Sequence, residues 1–102
     1  MGINWEQVDE KVSRKIHKPG DQLMAMEVRF EKGGIGAEHS HPHEQISYCL
    51  EGEVEFTLAG EKHVLRQGET LVIPSNTVHG AIALEKSRLL DVFTPIREDL
   101  LT

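Results

Sequence analysis

Turn-forming residues cut this chain into pieces that suit strands and little else. Pro19-Gly20, Gly33-Gly34, Gly52, Ala59-Gly60, Gly68, Pro74-Ser75-Asn76 and Pro95 punctuate its 102 residues. Breaks of this kind about every 8 to 12 residues are the rhythm of an all-β sandwich or barrel. Between them apolar residues alternate: Met24, Met26, Val28 and Phe30 share one face of a strand predicted over 23–30. Further strands are predicted over 45–51, 53–59, 61–65, 70–73, 77–84 and 89–94. Two of these meet at Glu51-Gly52 as a tight turn or bulge. Val12, Arg14 and Ile16 alternate weakly within a polar arm, residues 1–20, where one short strand fits. The only helical signal is a single turn near Arg97–Leu101. The length suits one domain over residues 1–102.

The stretch His39-Ser40-His41-Pro42-His43-Glu44-Gln45 carries the chemistry. Residues two apart on an extended backbone face the same side. If the chain stays extended across Pro42, the side chains at 39, 41, 43 and 45 converge. Histidine is the commonest protein ligand for transition metals. A His-x-His pair delivers two imidazoles about 7 Å apart at the backbone, a workable bite for one ion. Glu44 and Gln45 compete for a third position. Glu44 has the wrong parity and points away, so Gln45 is the expected ligand and His43 is left at the rim. His79 opens a strand of small residues, Gly80, Ala81 and Ala83, behind the Pro74 turn. A lone histidine there is more often a satisfied core residue, but the rigid turn suits a ligand aimed into a cavity. The expected metal set is His39, His41, Gln45 and His79.

Charge and composition narrow the partners. The net charge is −6, and no Lys/Arg patch stands out, so neither nucleic acid nor an anionic membrane is an expected partner. No run of about 18 apolar residues predicts a membrane span. The N-terminus lacks a basic segment followed by an apolar one, so no signal peptide is expected. The single cysteine, Cys49, has no intramolecular partner, and a reducing, cytoplasmic location is the expectation.

The spacing His39-x-His41-x3-Gln45-x6-Gly52 resembles the first conserved motif of the cupins, with Gln45 in place of the usual Glu. Gly68-x5-Pro74-x-Asn76-x2-His79 resembles their second, with Asn76 for a usual Gly and Ala83 where an Asn is common. The two motifs span residues 34–83. The resemblance implies a jelly-roll β-barrel, a closed β-sandwich, with a metal ion in its mouth, often as a homodimer. Within residues 88–102, the tail Leu90-Asp91-Val92-Phe93-Thr94-Pro95-Ile96-Arg97-Glu98-Asp99-Leu100 looks like the pectin-degradation cupins that linearise 4,5-unsaturated uronates. Thr94 and Ile96 stand where Ser and Pro are more usual. In that family the active-site residues correspond to Asp91, Phe93 and Arg97. The resemblance therefore implies catalytic roles for Asp91 and Arg97, and substrate contacts from Phe93 and Arg97. A metal-dependent oxygenase and a non-catalytic sugar-binding cupin are the competing readings.

Simple chemistry supports this assignment. Three neutral imidazoles and an amide leave both charges of a divalent ion uncompensated, which favours an anionic substrate such as a uronate. His and Gln donors suit Ni, Zn, Mn, Fe or Cu. Asp91 and Phe93 share a face, and an Asp between Leu90 and Val92 is out of place unless paired or functional. Arg97 offers a planar fork that matches a carboxylate. Ser47 and Cys49 have Gln45's parity and face either pocket or core. Ile46, Tyr48 and Leu50 face the other way and need cover from the second sheet's edge, the N-terminal arm or another subunit; a homodimer, with Trp5 contributing, would provide it.

Overall fold

In the computed structural model, residues 4–101 are described, so the extreme ends of the expected arm and tail, residues 1–3 and 102, lie outside it. Among the described residues ten strands run in chain order: β1 (Trp5–Asp9), β2 (Val12–Ile16), β3 (Met24–Phe30), β4 (Ile35–His39), β5 (Glu44–Glu51), β6 (Glu53–Leu58), β7 (Glu61–Arg66), β8 (Thr70–Ile73), β9 (His79–Ala83) and β10 (Ser87–Thr94). One 3-10 turn follows, Glu98–Leu100. All pairings are antiparallel. A six-stranded sheet, β1-β2-β3-β10-β5-β8, faces a four-stranded sheet, β4-β9-β6-β7. This is the expected all-β jelly roll.

The alternation places the core. Met24, Met26, Val28 and Phe30 of β3 point inward beside Leu89 and Phe93 of β10. Val54 and Phe56 of β6 and Leu65 of β7 meet them from the other sheet. Burying such side chains is the main favourable term in folding, roughly 1.5–3 kcal/mol for each large one. Cys49 is fully buried in this core, so of its two expected locations it takes the interior, and burial raises its thiol pKa.

Three expectations need correction. The polar arm is mostly sheet: β2 lies where a short strand was expected, but β1 pairs with it and the hairpin extends the large sheet. Its apolar content is low because most of β1 is exposed. The Glu51-Gly52 junction is also not a hairpin. β5 and β6 belong to different sheets, so Gly52 is the corner where the chain crosses between layers. Gly52 has φ 89°, and a Cβ there would fall against Ser87 Oγ and the Lys86 carbonyl, with Ser87 Cα at 2.8 Å. Only glycine fits. Strand β9 opens at His79 rather than at Thr77.

The outer face of the large sheet carries Ile46, Tyr48 and Val72, 39%, 39% and 50% exposed. Ile46 lies across from both Val72 and Val92, and Tyr48 across from Leu90. Trp5 is already covered within the chain by the Arg29 guanidinium, 3.6 Å above its ring.

Candidate metal centre

The ligand residues expected from one extended stretch come from both sheets. The chain leaves the small sheet after His39, the last residue of β4, and enters the large sheet at Glu44. Residues 40–43 are a loop, so parity alone does not align His41 with His39. His39 is the register partner of His79 across β4–β9, and their ring centroids are 4.4 Å apart. Gly80 permits this approach, because a Cβ there would sit 3.1 Å from the Gly36 carbonyl oxygen of β4. His41 is placed by the turn before β9: the Asn76 N–H donates to its carbonyl at 2.8 Å. Asn76 has φ 60°, a left-handed conformation that Asn tolerates better than most residues. That accounts for an Asn where the motif usually has Gly.

The three rings are oriented alike. Nδ1 of His39 lies 2.8 Å from the Ala37 carbonyl, Nδ1 of His41 3.0 Å from that of His43, and Nδ1 of His79 2.8 Å from that of Thr77. A carbonyl only accepts, so each Nδ1 carries the hydrogen and each Nε2 keeps its lone pair. Ligand atoms of His39, His41 and His79 all lie within 4.8 Å of one another. Nε2 of His79 is buried with no hydrogen-bond partner among the described residues. Burial lowers the pKa of His79, as do His39 and His41 beside it; burial and then Arg97 lower that of His41. Both shifts favour the neutral ring, the form that binds metal. Gln45 Oε1 lies 3.1 Å from His41 Nε2. Two acceptors turned to one point, beside an orphaned imidazole nitrogen, fit a transition-metal ion. His43 stays outside the cluster, half-buried at the edge of His41, and its Nδ1 is also unpartnered. Glu44 is exposed.

Below the histidines, β10 faces β5. Asp91 pairs across the sheet with Ser47, and Phe93 with Gln45. Ser47 Oγ donates to Asp91 Oδ1 at 2.7 Å and accepts from Gln45 Nε2 at 2.9 Å. Burial pushes the Asp91 pKa up to about 6, against the opposing pull of Ser47, Gln45 and Arg97. Phe93 is enclosed, edge-on to His41 at 5.9 Å and with the Arg97 guanidinium 5.2 Å from its centroid. Arg97 is held by Asp99, Nη2 to Oδ2 at 2.7 Å and Nε to Oδ1 at 3.4 Å.

A cavity of about 250 Å³ brings together His39, Gln45, His79, Asp91, Phe93 and Arg97. All the expected site residues thus meet in one place, with His41 in the same cluster. Sequence reasoning missed Asp99, whose Arg-x-Asp spacing was a usable signal. It also missed Val8 and Arg14, which reach the cavity from the N-terminal hairpin. A larger cleft, about 600 Å³, lies around Arg29, Glu51 and Lys86 and contains none of these groups.

The cupin domain pattern matches residues 26–93. The chain belongs to the cupins. This cupin is 40% identical over 99 residues, 95% of its own length and 90% of the relative's, to the pectin degradation protein KdgF of Dickeya dadantii. It superposes on the structure of KdgF from a Halomonas species with a TM-score of 0.90 and 41% identity, covering 95% and 90% of the two chains. It is also 30% identical over 78 residues to quercetin 2,3-dioxygenase of Bacillus subtilis, a match to 76% of this cupin but 23% of that protein.

Proposed function

We propose that this cupin opens the ring of 4,5-unsaturated uronate monosaccharides, the sugars that pectin or alginate lyases release, and delivers the linear keto form. The observation that carries the reading is a cluster of three aligned imidazoles, two of which, His39 and His79, line one cavity with a neutral amide, a buried carboxyl and an arginine. The likeness to a pectin degradation protein over nearly the whole chain supports it.

His39, His41, Gln45 and His79 would hold one divalent transition-metal ion (Ni, Zn, Mn, Fe or Cu), which would supply Lewis acidity. These four side chains bring no negative charge, so the site stays cationic and suits a uronate. Arg97 takes the substrate carboxylate with its fork, exchanging Asp99 for it. Asp91 removes the proton of the anomeric hydroxyl. The C1–O5 bond breaks as the C1 carbonyl forms, and the electron pair moves to the ring oxygen as the C4–C5 enolate. Asp91 then returns the proton to C4, and the C5 ketone forms. No oxidant or reductant is consumed. A carboxyl with a pKa near 6 suits both proton transfers at neutral pH. Phe93 seats Arg97 and closes the cavity floor. A homodimer formed through the apolar outer face, working in the cytoplasm, completes the proposal.

The test is to incubate metal-loaded protein with fresh lyase products and follow the ultraviolet absorbance of the conjugated double bond. Accelerated loss, with a linear keto product by proton NMR, is expected. A rate equal to the spontaneous one with every metal named would sink the reading. Uronate binding with no turnover would instead favour a sugar-binding cupin. The partial match to a quercetin dioxygenase favours a second reading, an oxygenase, and oxygen uptake by iron-loaded protein would reveal it.

A further inference from the structure

Gln45 acts as a ligand only if its amide is turned the right way. The two ends of the amide are nearly identical in shape, but the oxygen offers lone pairs and the NH₂ group offers hydrogens. Turned over, the NH₂ group would hydrogen-bond to the Nε2 lone pair of His41 and block it.

We propose that Ser47 is the positioning residue that turns the Gln45 oxygen toward the three imidazoles and makes glutamine, rather than glutamate, the compatible residue at position 45. Ser47 is completely buried. It lies two residues after Gln45 on the inward face of β5, and its register partner on β10 is Asp91. A hydroxyl has one hydrogen to give. Ser47 gives it to Asp91 Oδ1 at 2.7 Å. Its oxygen is left to accept, and the donor it meets is Gln45 Nε2 at 2.9 Å. The amide nitrogen is therefore tied to the sheet, and Oε1 is presented 3.1 Å from His41 Nε2.

The same arrangement discriminates against a carboxylate. A glutamate at this position has no hydrogen to give Ser47. One hydroxyl hydrogen would then face two carboxyl groups, and one would stay unsatisfied in a buried place, which is costly. Gln45, Ser47 and Asp91 thus form a matched set in which donors and acceptors alternate from the imidazoles to β10. Groups that orient metal ligands commonly contribute 10–100-fold in affinity.

The inference rests on the metal reading above, and a double-mutant cycle on metal affinity separates the two. Binding of Zn(II) and Ni(II) to apo-protein is measured calorimetrically for the parent, Ser47→Ala, Gln45→Glu and the double variant. Ser47→Ala is expected to weaken binding about tenfold or more beside Gln45. In the Gln45→Glu background, where the two carboxylate oxygens are equivalent, it is expected to leave affinity unchanged or raise it. An equal loss in both backgrounds marks Ser47 as merely structural and overturns the inference, as does no loss in either. A parent that binds neither metal overturns the metal reading and this inference with it. A further measurement needs neither metal nor variant. NMR of ¹⁵N-labelled apo-protein should show the Gln45 side-chain NH₂ protected from solvent exchange. Exchange at the rate of exposed glutamines overturns the proposed tie to Ser47.

Discussion

Asp91 lies directly across the sheet from Ser47 and takes its hydroxyl hydrogen at 2.7 Å, within an inward row that continues to Met26 on β3. A carboxyl in that setting holds its proton longer than one in water, and its pKa rises from 3.8 to about 6. Below the unfolded value both states are protonated, and the folded state keeps its full share of stability. Between there and about pH 6 the unfolded chain releases the proton and the folded chain keeps it, so stability falls as pH rises. Each pH unit between the two values is worth about 1.4 kcal/mol, so this one group accounts for a total fall of about 3 kcal/mol. Asp91→Asn removes the slope. In chelator-treated protein the variant should melt several degrees above the parent near pH 8 and level with it near pH 4. A gap that stays constant across that range would contradict the pKa assignment. His41 and His79, with lowered pKa values, give an opposite slope in both proteins, so it cancels in the comparison. The same substitution should cut uronate turnover by about 10²–10⁴-fold, the ordinary contribution of a positioned acid or base.

His39 and His79 face each other across β4 and β9, and the Nε2 of His79 has no hydrogen-bond partner among the described residues. A bound ion would satisfy it and bind only the folded state. At a metal concentration about 100 times the dissociation constant the gain is about 2.7 kcal/mol, worth about 10 °C or more in a domain of this size. Chelation should lower the melting temperature by that amount and metal should restore it. His79→Ala should abolish the difference between the two conditions. A chelator-insensitive melting curve in metal-saturated parent protein would count against the site.

Asp99 competes for the guanidinium that the proposed substrate needs. The pair is in place at 2.7 Å, and its hydrogen bond holds the Asp99 pKa low, so the competition persists at neutral pH. Asp99 is 57% exposed in its side chain, and exposed ion pairs are worth about 0.2–1 kcal/mol. Asp99→Asn should therefore lower the KM for the uronate by about two- to fivefold with little change in kcat. A higher KM would show instead that Asp99 holds Arg97 in its working position.

The strands and their inward faces are legible in the chain because alternation is a direct image of burial. Met24 to Phe30 and Leu89 to Phe93 read correctly for that reason. The path between His39 and Gln45 is not legible in this way. Parity predicts one continuous strand there, whereas the chain changes sheets between them, and His41 is set by the distant Asn76 N–H. Glycine at 52 signals a turn but not its kind, since a hairpin and a corner between sheets make similar local demands. Strand β1 is hidden for a different reason. Its residues are mostly exposed on both sides, so pairing with β2 holds it and no apolar pattern betrays it. The residue types of the histidine cluster are visible in the sequence, while the chain Gln45–Ser47–Asp91 depends on the register of β5 against β10 and becomes visible only in the fold.

The outer face of the large sheet tests the assembly. Ile46 and Tyr48 are each 39% exposed and Val72 is 50% exposed. They run into Val92 and Leu90 through the register of β5 with β8 and β10, so the apolar side chains form one continuous area. Continuous apolar areas of this kind are where proteins meet partners, and a two-fold contact of the face with itself covers it on both copies at once. Ile46 and Tyr48 point away from the cavity, so charging them need not disturb the site. The double variant Ile46→Glu/Tyr48→Glu should sediment as a monomer where the parent sediments as a dimer, with an unchanged circular dichroism spectrum and metal affinity. A parent that is monomeric at high micromolar concentration would remove the dimer from the proposal and leave the chemistry of the cavity untouched.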